Sequence, residues 1–152
     1  MKAVIQRVKN ASLSVGEENI SEIQCGLVCY LGIGKGDGDN ELAWLSRKVA
    51  GLRIFPDAQG KMNLSAVDTQ AEILVVSQFT LYGDIRNGYR PGFSSAEIPG
   101  LAEPMYERFC IELEKLGVKK VARGVFGADM TINQTNQGPV TIILEMEPKV
   151  AG

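Results

Sequence analysis

The sequence predicts an α+β fold: a curved or barrel-like, mainly antiparallel sheet with two packed helices in a single domain. Many short runs alternate apolar and polar residues with the period of a strand, whereas only two segments carry a helical apolar stripe. Strands and helices do not alternate regularly, as they would in a doubly wound parallel sheet. The 152 residues, 45% of them hydrophobic, suit one core, and we assign residues 1–152 to one domain.

The N-terminal half is predicted to contain four strands and the first helix. We expect strands at residues 2–8, 12–15, 19–24 and 27–33, with a hairpin turn at residues 16–18. A glycine-rich turn follows, and Asp39 is the predicted N-cap of the helix. The buried stripe of this helix consists of Leu42, Leu45, Val49 and Leu52.

The C-terminal half is predicted to begin with a long strand, residues 71–81, followed by an irregular loop, residues 82–99. The second helix covers residues 101–116 and ends at Gly117. Its buried face carries Met105, Phe109, Leu113 and Leu116. The last strands are expected at residues 119–124, 129–135 and 140–147.

Composition excludes several functional classes. A net charge of −2 argues against broad, non-specific nucleic-acid binding but leaves room for recognition of an RNA end. No apolar run reaches the length of a membrane span and the N-terminus lacks a signal-peptide core, so we expect a cytoplasmic protein without a membrane partner. Cys25 and Cys29 are expected to be small core residues rather than metal ligands.

The glycine-rich residues 32–38 follow a strand and precede a helix, which is the right place for a phosphate loop. The P-loop sequence motif is absent, because it requires Ser or Thr after the lysine and Lys35 is followed by Gly36. A plain glycine turn is therefore favoured. Asp37, Asp39 and Glu41 lack the pattern of a calcium loop and are expected to be solvated capping acids. We therefore predict no metal and no cofactor.

The segment Ser77-Gln78-Phe79-Thr80-Leu81 carries polar residues at the end of an apolar strand. On a strand, Gln78 and Thr80 would share one face, and they would form either the floor of a site or a solvent-facing edge. A nucleophilic Thr80 would need an adjacent base, and the sequence contains no histidine. A hydrogen-bonding role for Thr80 is therefore favoured.

Two further groups carry positive charge. Arg86 and Arg90 lie in a loop with several aromatic residues, and this loop could hold a phosphate and stack a base or could simply be solvated. Lys119, Lys120 and Arg123 indicate a solvated strand edge.

The segment Asn136-Gln137-Gly138-Pro139-Val140-Thr141 places a Gly-Pro pair between two strand-like runs. Proline fits poorly inside a sheet, so we expect a tight turn that exposes main-chain carbonyls. Because histidine is absent, the chemistry cannot depend on the commonest general base.

The segments Ser77-Gln78-Phe79-Thr80-Leu81 and Asn136-Gln137-Gly138-Pro139-Val140-Thr141 together closely resemble the signature motifs of the D-aminoacyl-tRNA deacylase family. Shorter matches extend the resemblance over essentially the whole chain, at residues 5–8, 52–55, 60–63, 90–91 and 126–130. The chain departs from the common family pattern at Asn87, Gly92 and Arg123, and the first two of these positions lie in the predicted loop at residues 82–99.

The resemblance implies hydrolysis of the ester between a D-amino acid, or glycine mischarged on alanine tRNA, and the terminal adenosine of tRNA. It implies a homodimer with sites at the subunit interface and a cis Gly138–Pro139 bond that enters the partner's site as a chiral filter. Thr80 and Phe79 would be catalytic, and Ser77, Gln78, Gly138, Pro139 and Met130 would bind substrate. Arg7 and Asn136 would support the Gly-Pro loop.

The mechanism suggested by both the residues and the resemblance uses no protein base. The ribose 2′-OH of the substrate would position or activate water, while backbone N–H groups near Phe79 and Thr80 would stabilise the oxyanion. Two rival hypotheses stay open: a barrel that binds the tRNA end without catalysis, and a general hydrolase of small esters.

Overall fold

The computed structural model, which describes residues 1–150, is built around a curled sheet with two long helices packed on its outer face. The strands and helices, in chain order, are β1 (Lys2–Val15), β2 (Glu18–Ile23), β3 (Gly26–Gly32), α1 (Asp39–Gly51), β4 (Phe55–Pro56), β5 (Met62–Leu64), α2 (Ala66–Thr69), β6 (Glu72–Ser77), a 3₁₀ helix (Phe79–Tyr82), α3 (Pro99–Lys115), β7 (Lys120–Arg123) and β8 (Met130–Glu145).

The sheet has the strand order β2-β1-β3-β6-β7, and β8 lies along the other edge of β1. Strand β1 pairs antiparallel with β2, β3 and β8, whereas the β3–β6 and β6–β7 pairs are parallel. Side chains nearly close the barrel, because Ser21 Oγ donates to the Arg123 carbonyl and Lys120 Nζ donates to the Glu22 carbonyl, both over 2.8 Å. The predicted fold class is confirmed.

The two parallel pairs were not predicted. Each is joined by a crossover that contains a helix, α1 between β3 and β6 and α3 between β6 and β7. The first crossover also contains the β4–β5 hairpin and the one-turn helix α2, and this masks its βαβ character in the sequence.

Apolar residues form two layers, one on each face of the sheet. The outer layer lies beneath α1 and α3 and includes Ile5, Leu27, Leu45, Ile73, Val75, Phe109 and Leu113. The inner layer fills the curl of the sheet and consists of Val8, Ala11, Leu13, Ile23, Val28, Leu74, Val76 and Ala122. Strands β3 and β6 are buried on both faces, which explains why their sequences read as continuous apolar runs.

Several predicted boundaries were wrong. Residues 2–8 and 12–15 belong to one strand, because Lys9 bulges out of β1 without interrupting it. Residues 129–135 and 140–147 likewise belong to the single strand β8. The predicted strand at residues 71–81 ends at Ser77, and Asp39 is the first helical residue after the cap Gly38.

Two predictions about polar and thiol side chains were also wrong. Cys25 is exposed, although Cys29 is buried as expected. Asp37 is not a solvated capping acid: its side chain is 1% exposed and its Oδ1 lies 2.7 Å from the amine of Met1. The same amine donates to the Met146 carbonyl over 2.7 Å, and these contacts join the start of β1 and the residues after β8 to the turn before α1.

Among residues 1–150, no helix has the length and apolar character needed to span a bilayer. Within the same range, no group of three or more His, Cys, Asp or Glu side chains is arranged to hold a metal ion.

Candidate active site

The segment after β6 leaves the sheet at Ser77 and turns at once into the 3₁₀ helix. Gln78 still donates its N–H to the Leu31 carbonyl over 2.8 Å, and its own carbonyl then passes over Gly32. A Cβ at Gly32 would lie 3.1 Å from that carbonyl and 3.2 Å from Leu81 Cβ, so the close crossing favours glycine. The predicted alternation of Gln78 and Thr80 on one strand face is therefore wrong.

A pocket of about 640 Å³ opens where β3 and β6 end. The carboxyl ends of parallel strands are a common place for ligands in sheets with helical crossovers. Ser77, Gln78 and Phe79 line this pocket from one side, and Met130 lines it from β8. Four of the residues predicted to form the site are thus brought together.

Aromatic side chains give the pocket most of its walls. Phe79 is 54% exposed and meets Phe93 edge to face, with ring centroids 5.0 Å apart. Phe126 contributes a third ring, while Lys35, Glu97 and Asp129 provide charged groups. Flat apolar walls beside a few charged groups suit a planar, polar ligand such as a nucleobase with its ribose.

The lining residues Phe93, Phe126, Lys35, Glu97 and Asp129 were not predicted as site residues. They come from three separate segments of the chain and carry no joint spacing. Phe93 had one available signal, since it lies in the loop where aromatic residues and arginines are interleaved.

Thr80 lies at the rim and does not line the pocket. It is exposed, and its hydroxyl accepts a short hydrogen bond from the Gln78 side-chain amide. An amide is not a base and cannot remove the hydroxyl proton. Tyr82, on the same 3₁₀ helix, has a pKa raised above its usual value by burial and by the nearby Asp37 carboxylate, so it stays protonated at neutral pH. Neither group activates Thr80 as a nucleophile.

The main chain of the 3₁₀ helix offers hydrogen-bond donors instead. Phe79 and Thr80 are its first two residues, and the first N–H groups of a helix have no partner within that helix. Two adjacent N–H groups beside a pocket form an arrangement that can bind an oxyanion.

The Gly-Pro pair lies in a bulge of β8 rather than in a turn between two strands. Arg7 of β1 stands opposite the four residues 137–140, because Gln6 pairs with Thr141 and Val8 pairs with Asn136. The Gly138–Pro139 peptide bond is cis, as predicted, and both residues are exposed.

Arg7 contacts the bulge directly. Its Nε donates to the Gln137 carbonyl over 3.3 Å, and its Nη1 donates to the Ile54 carbonyl over 2.6 Å. Gly138 has a φ of +122°, which favours glycine, and a Cβ there would lie 2.9 Å from Val140 Cγ2. Arg7, Asn136, Gly138 and Pro139 thus form a second group that does not line the pocket of their own chain.

Three of the five basic residues singled out in the sequence, Arg86, Lys120 and Arg123, form ion pairs. Arg86 makes a bidentate contact with Asp84, which holds the pKa of that carboxyl near 2, whereas Arg90 and Tyr89 of the same loop are exposed. Arg123 Nε lies 3.2 Å from Glu107 Oε2, and Arg123 Nη1 lies 3.0 Å from Glu114 Oε1. The strand edge that was predicted to be solvated is therefore in part an ion-pair network.

Comparison with known proteins decides the family. Residues 4–145 match the family model described as D-Tyr-tRNA(Tyr) deacylase. The chain belongs to this family. Its members are hydrolases of an aminoacyl ester, and membership makes the chain an enzyme of that class.

Individual family members are similar over nearly their full length. The D-aminoacyl-tRNA deacylase of Myxococcus xanthus is 50% identical over 145 residues, which cover 95% of this chain and 94% of that protein. The protein of the same name from Magnetococcus marinus is 49% identical, with 98% and 99% covered.

Solved structures share the fold. A structure described as the c-Myc DNA unwinding element binding protein has a TM-score of 0.92 and 43% identity, and the match covers 97% of this chain and all of that one. A probable eukaryotic D-amino acid tRNA deacylase has a TM-score of 0.82 at 14% identity, with 95% and 98% covered, and it supports the fold alone.

Proposed function

We propose that the chain hydrolyses the ester bond of D-aminoacyl-tRNA and releases the free D-amino acid and tRNA. The observation that carries the proposal is the Ser77-Gln78-Phe79-Thr80 segment, which lies at the aromatic pocket in a chain of this family. The terminal adenosine would occupy the pocket, with its base against Phe79 and Phe93 and with Ser77, Gln78 and Met130 around it. Such a substrate is intracellular, which agrees with a cytoplasmic location.

The proposed chemistry uses the main chain and the substrate. The Phe79 and Thr80 N–H groups would bind the oxyanion that develops on the ester carbonyl. The ribose 2′-OH next to the ester would position or activate the attacking water, since the chain contains no histidine. An aminoacyl ester is already activated, and each tenfold gain in rate requires only about 1.4 kcal/mol of barrier lowering.

The exposed Gly-Pro bulge supports a homodimer with shared sites. Gly138 and Pro139 do not line the pocket of their own chain, although Arg7 holds the bulge in place. Among residues 1–150, one edge of β8 is paired with β1 and the other carries no strand, and Ile143 on β8 is 74% exposed. A second copy placed along β8 would bring each bulge to the other copy's pocket.

In this arrangement, the Gly138 and Pro139 carbonyls would crowd one side of the substrate Cα. An L side chain would collide with them, whereas a D side chain would point away. Glycine has no side chain to exclude, so glycine attached to alanine tRNA would also be hydrolysed.

The test compares D-Tyr-tRNA and L-Tyr-tRNA as substrates, with sedimentation as the check on the dimer. We expect release of D-Tyr at least about 100-fold faster than release of L-Tyr, and a mass twice the 16.5 kDa of the chain. Equal rates would overturn the chiral filter, and a monomer with full activity would overturn the shared site.

Two further substrates separate the rival functions. A D-Tyr-tRNA that ends in 2′-deoxyadenosine should react at least about 100-fold more slowly if the 2′-OH takes part. Tight tRNA binding without release of D-Tyr would favour a non-catalytic barrel that binds the tRNA end. Hydrolysis of model esters at a comparable rate would favour a general esterase.

A further inference from the structure

A polar network on the inner face of the sheet spans both ends of the Gly-Pro bulge. Gln134 lies at its centre, on the same face of β8 as Ile132 and Asn136. Its Oε1 accepts a hydrogen bond from the Tyr30 hydroxyl over 2.7 Å. Its Nε2 donates to Gln6 Oε1 over 2.7 Å and to Asn136 Oδ1 over 2.6 Å.

These contacts use both protons of the Gln134 amide. Because the Tyr30 hydroxyl occupies the oxygen, the nitrogen faces Gln6 and Asn136 with its two N–H groups. Tyr30 is half-buried beside the inner apolar layer, and burial raises its pKa, which keeps the hydroxyl as a donor. The orientation of the amide is therefore set from β3, two strands away from the bulge.

The partners of Gln134 are the residues at which the bulge leaves and rejoins the sheet. Asn136 is the last paired residue before residues 137–140, and Thr141 is the first paired residue after them. Gln6 pairs with Thr141 in the register of β1 and β8, and its Nε2 lies 3.5 Å from Thr141 Oγ1. A continuous series of hydrogen-bonded side chains thus connects the two ends of the bulge.

We propose that Gln134 is a positioning residue, which holds the Gly138–Pro139 bulge in the position needed for chiral discrimination. Tyr30 orients Gln134, and Gln134 acts on the bulge through Gln6 and Asn136. Arg7 contacts the first residue of the bulge through the Gln137 carbonyl, and the Gln134 network contacts the paired residues at its two ends. The proposal rests on the proposed role of Gly138 and Pro139 as the chiral filter. A steric filter depends on rigidity, since a shift of about 1 Å is enough to change rates by orders of magnitude.

The deciding variant is Gln134→Leu, which keeps a similar size and removes both the acceptor and the donors. The rate of L-Tyr-tRNA hydrolysis should rise at least about tenfold relative to that of D-Tyr-tRNA, because a loosened bulge admits the L side chain. Tyr30→Phe should change the same ratio in the same direction by a smaller factor. Asn133→Ala, an exposed change on the other face of β8, is the control and should leave the ratio unchanged.

The D-to-L ratio separates positioning from general support of the fold. If Gln134→Leu slows both substrates equally, or leaves the ratio unchanged, the proposal is wrong. If Gln134→Leu does not fold, Tyr30→Phe decides the question, and an unchanged ratio in that variant is the refuting result.

Gly138→Ala distinguishes this proposal from the function on which it rests. A Cβ at Gly138 would lie 3.2 Å from Arg7 Nη2 and 3.0 Å from the Val140 nitrogen, so it must displace the bulge. An unchanged D-to-L ratio in Gly138→Ala would refute the chiral filter itself. A changed ratio there, with an unchanged ratio in Gln134→Leu, would refute only the role of Gln134.

Discussion

Thr80 and Phe79 combine a side-chain hydroxyl with main-chain N–H groups next to the candidate site. The Thr80 hydroxyl accepts a hydrogen bond from the Gln78 amide, and the N–H groups of Phe79 and Thr80 have no partner within the 3₁₀ helix. The residues alone pointed to hydrogen bonding rather than nucleophilic attack for Thr80. What they could not give is the 3₁₀ turn, because it depends on the crossing of Gln78 over Gly32.

Replacement of Thr80 by valine tests the division between side chain and main chain. Valine keeps the shape and the N–H but removes the hydroxyl. We expect kcat for D-Tyr-tRNA to fall less than about tenfold, or about 1.4 kcal/mol, since one side-chain hydrogen bond is lost. Single-turnover kinetics measures this, and complete loss of hydrolysis with unchanged tRNA binding would instead show that the hydroxyl reacts.

The three cysteines should differ sharply in reactivity. Burial raises the pKa of Cys110 to about 12 and raises that of Cys29 still further above its usual value, whereas Cys25 is exposed. Iodoacetamide at pH 8 should add one alkyl group to the folded protein, at Cys25, because alkylation needs the thiolate. Mass spectrometry gives the count, and Cys25→Ser should give no adduct until guanidinium unfolds the chain.

The same shifts have a consequence for stability. The folded-state pKa of each buried thiol is raised, so its contribution is fully present below pH 9, the ordinary thiol value, and declines as pH rises toward about 12. Urea midpoints should fall between pH 9 and pH 11, and the fall should be smaller in Cys110→Ala.

One-sided burial made the existence of strands and helices predictable from the sequence, whereas the pairing of strands that are buried on both faces was not predicted. The alternation in β1 and the stripes of α1 and α3 identified those elements, because each buries one face. The parallel neighbours of β3 and β6 could not be predicted, since residues buried on both faces carry no period that reveals a partner.

The close pairing of β3 with β6 leaves no room for a side chain at Gly26. A Cβ there would lie 1.8 Å from the Glu72 carbonyl oxygen, on the neighbouring backbone. Gly26→Ala should lower the free energy of unfolding by about 3 kcal/mol or more, because the strands must move apart. Gly51→Ala is the control: nothing lies within 4 Å of its Cβ and Gly51 is the last residue of α1, so a stabilisation of no more than about 1 kcal/mol is expected. Equal urea midpoints for the two variants would contradict this account.

The Met1 amine, the Asp37 carboxylate and the Met146 carbonyl form one small polar group, which joins the start of β1 and the residues after β8 to the turn before α1. Met1 as a residue and the Asp37 side chain are each 1% exposed, and Asp37 Oδ2 also accepts the Gly34 N–H over 2.6 Å. Tyr82 lies 3.5 Å from the same oxygen, which links this ion pair to the 3₁₀ helix of the candidate site. The sequence could not reveal the pair, because its partners are 36 positions apart.

Removal of the Asp37 charge should therefore be costly. Asp37→Asn leaves the buried amine without its counter-ion, and we expect a loss of about 3–5 kcal/mol in the free energy of unfolding, read from urea titration. Asp39→Asn breaks an exposed pair with Arg108, in which Asp39 is 82% exposed, and should change stability by less than about 1 kcal/mol. Similar losses in both variants would show that burial does not set the strength of the Asp37 pair.

Because of the bulge in β8, the number of residues at this point does not determine the register of the strand on either side. In an ordinary strand, insertion or deletion of one residue turns every later side chain to the opposite face of the sheet. Here the pairs on either side, Val8 with Asn136 and Gln6 with Thr141, are fixed independently, and residues 137–140 only span the gap. One residue can therefore be added to or removed from the bulge while the barrel keeps its alternation. Under the proposed chiral filter, residues 137–140 are then the place at which to redesign which acyl groups are accepted.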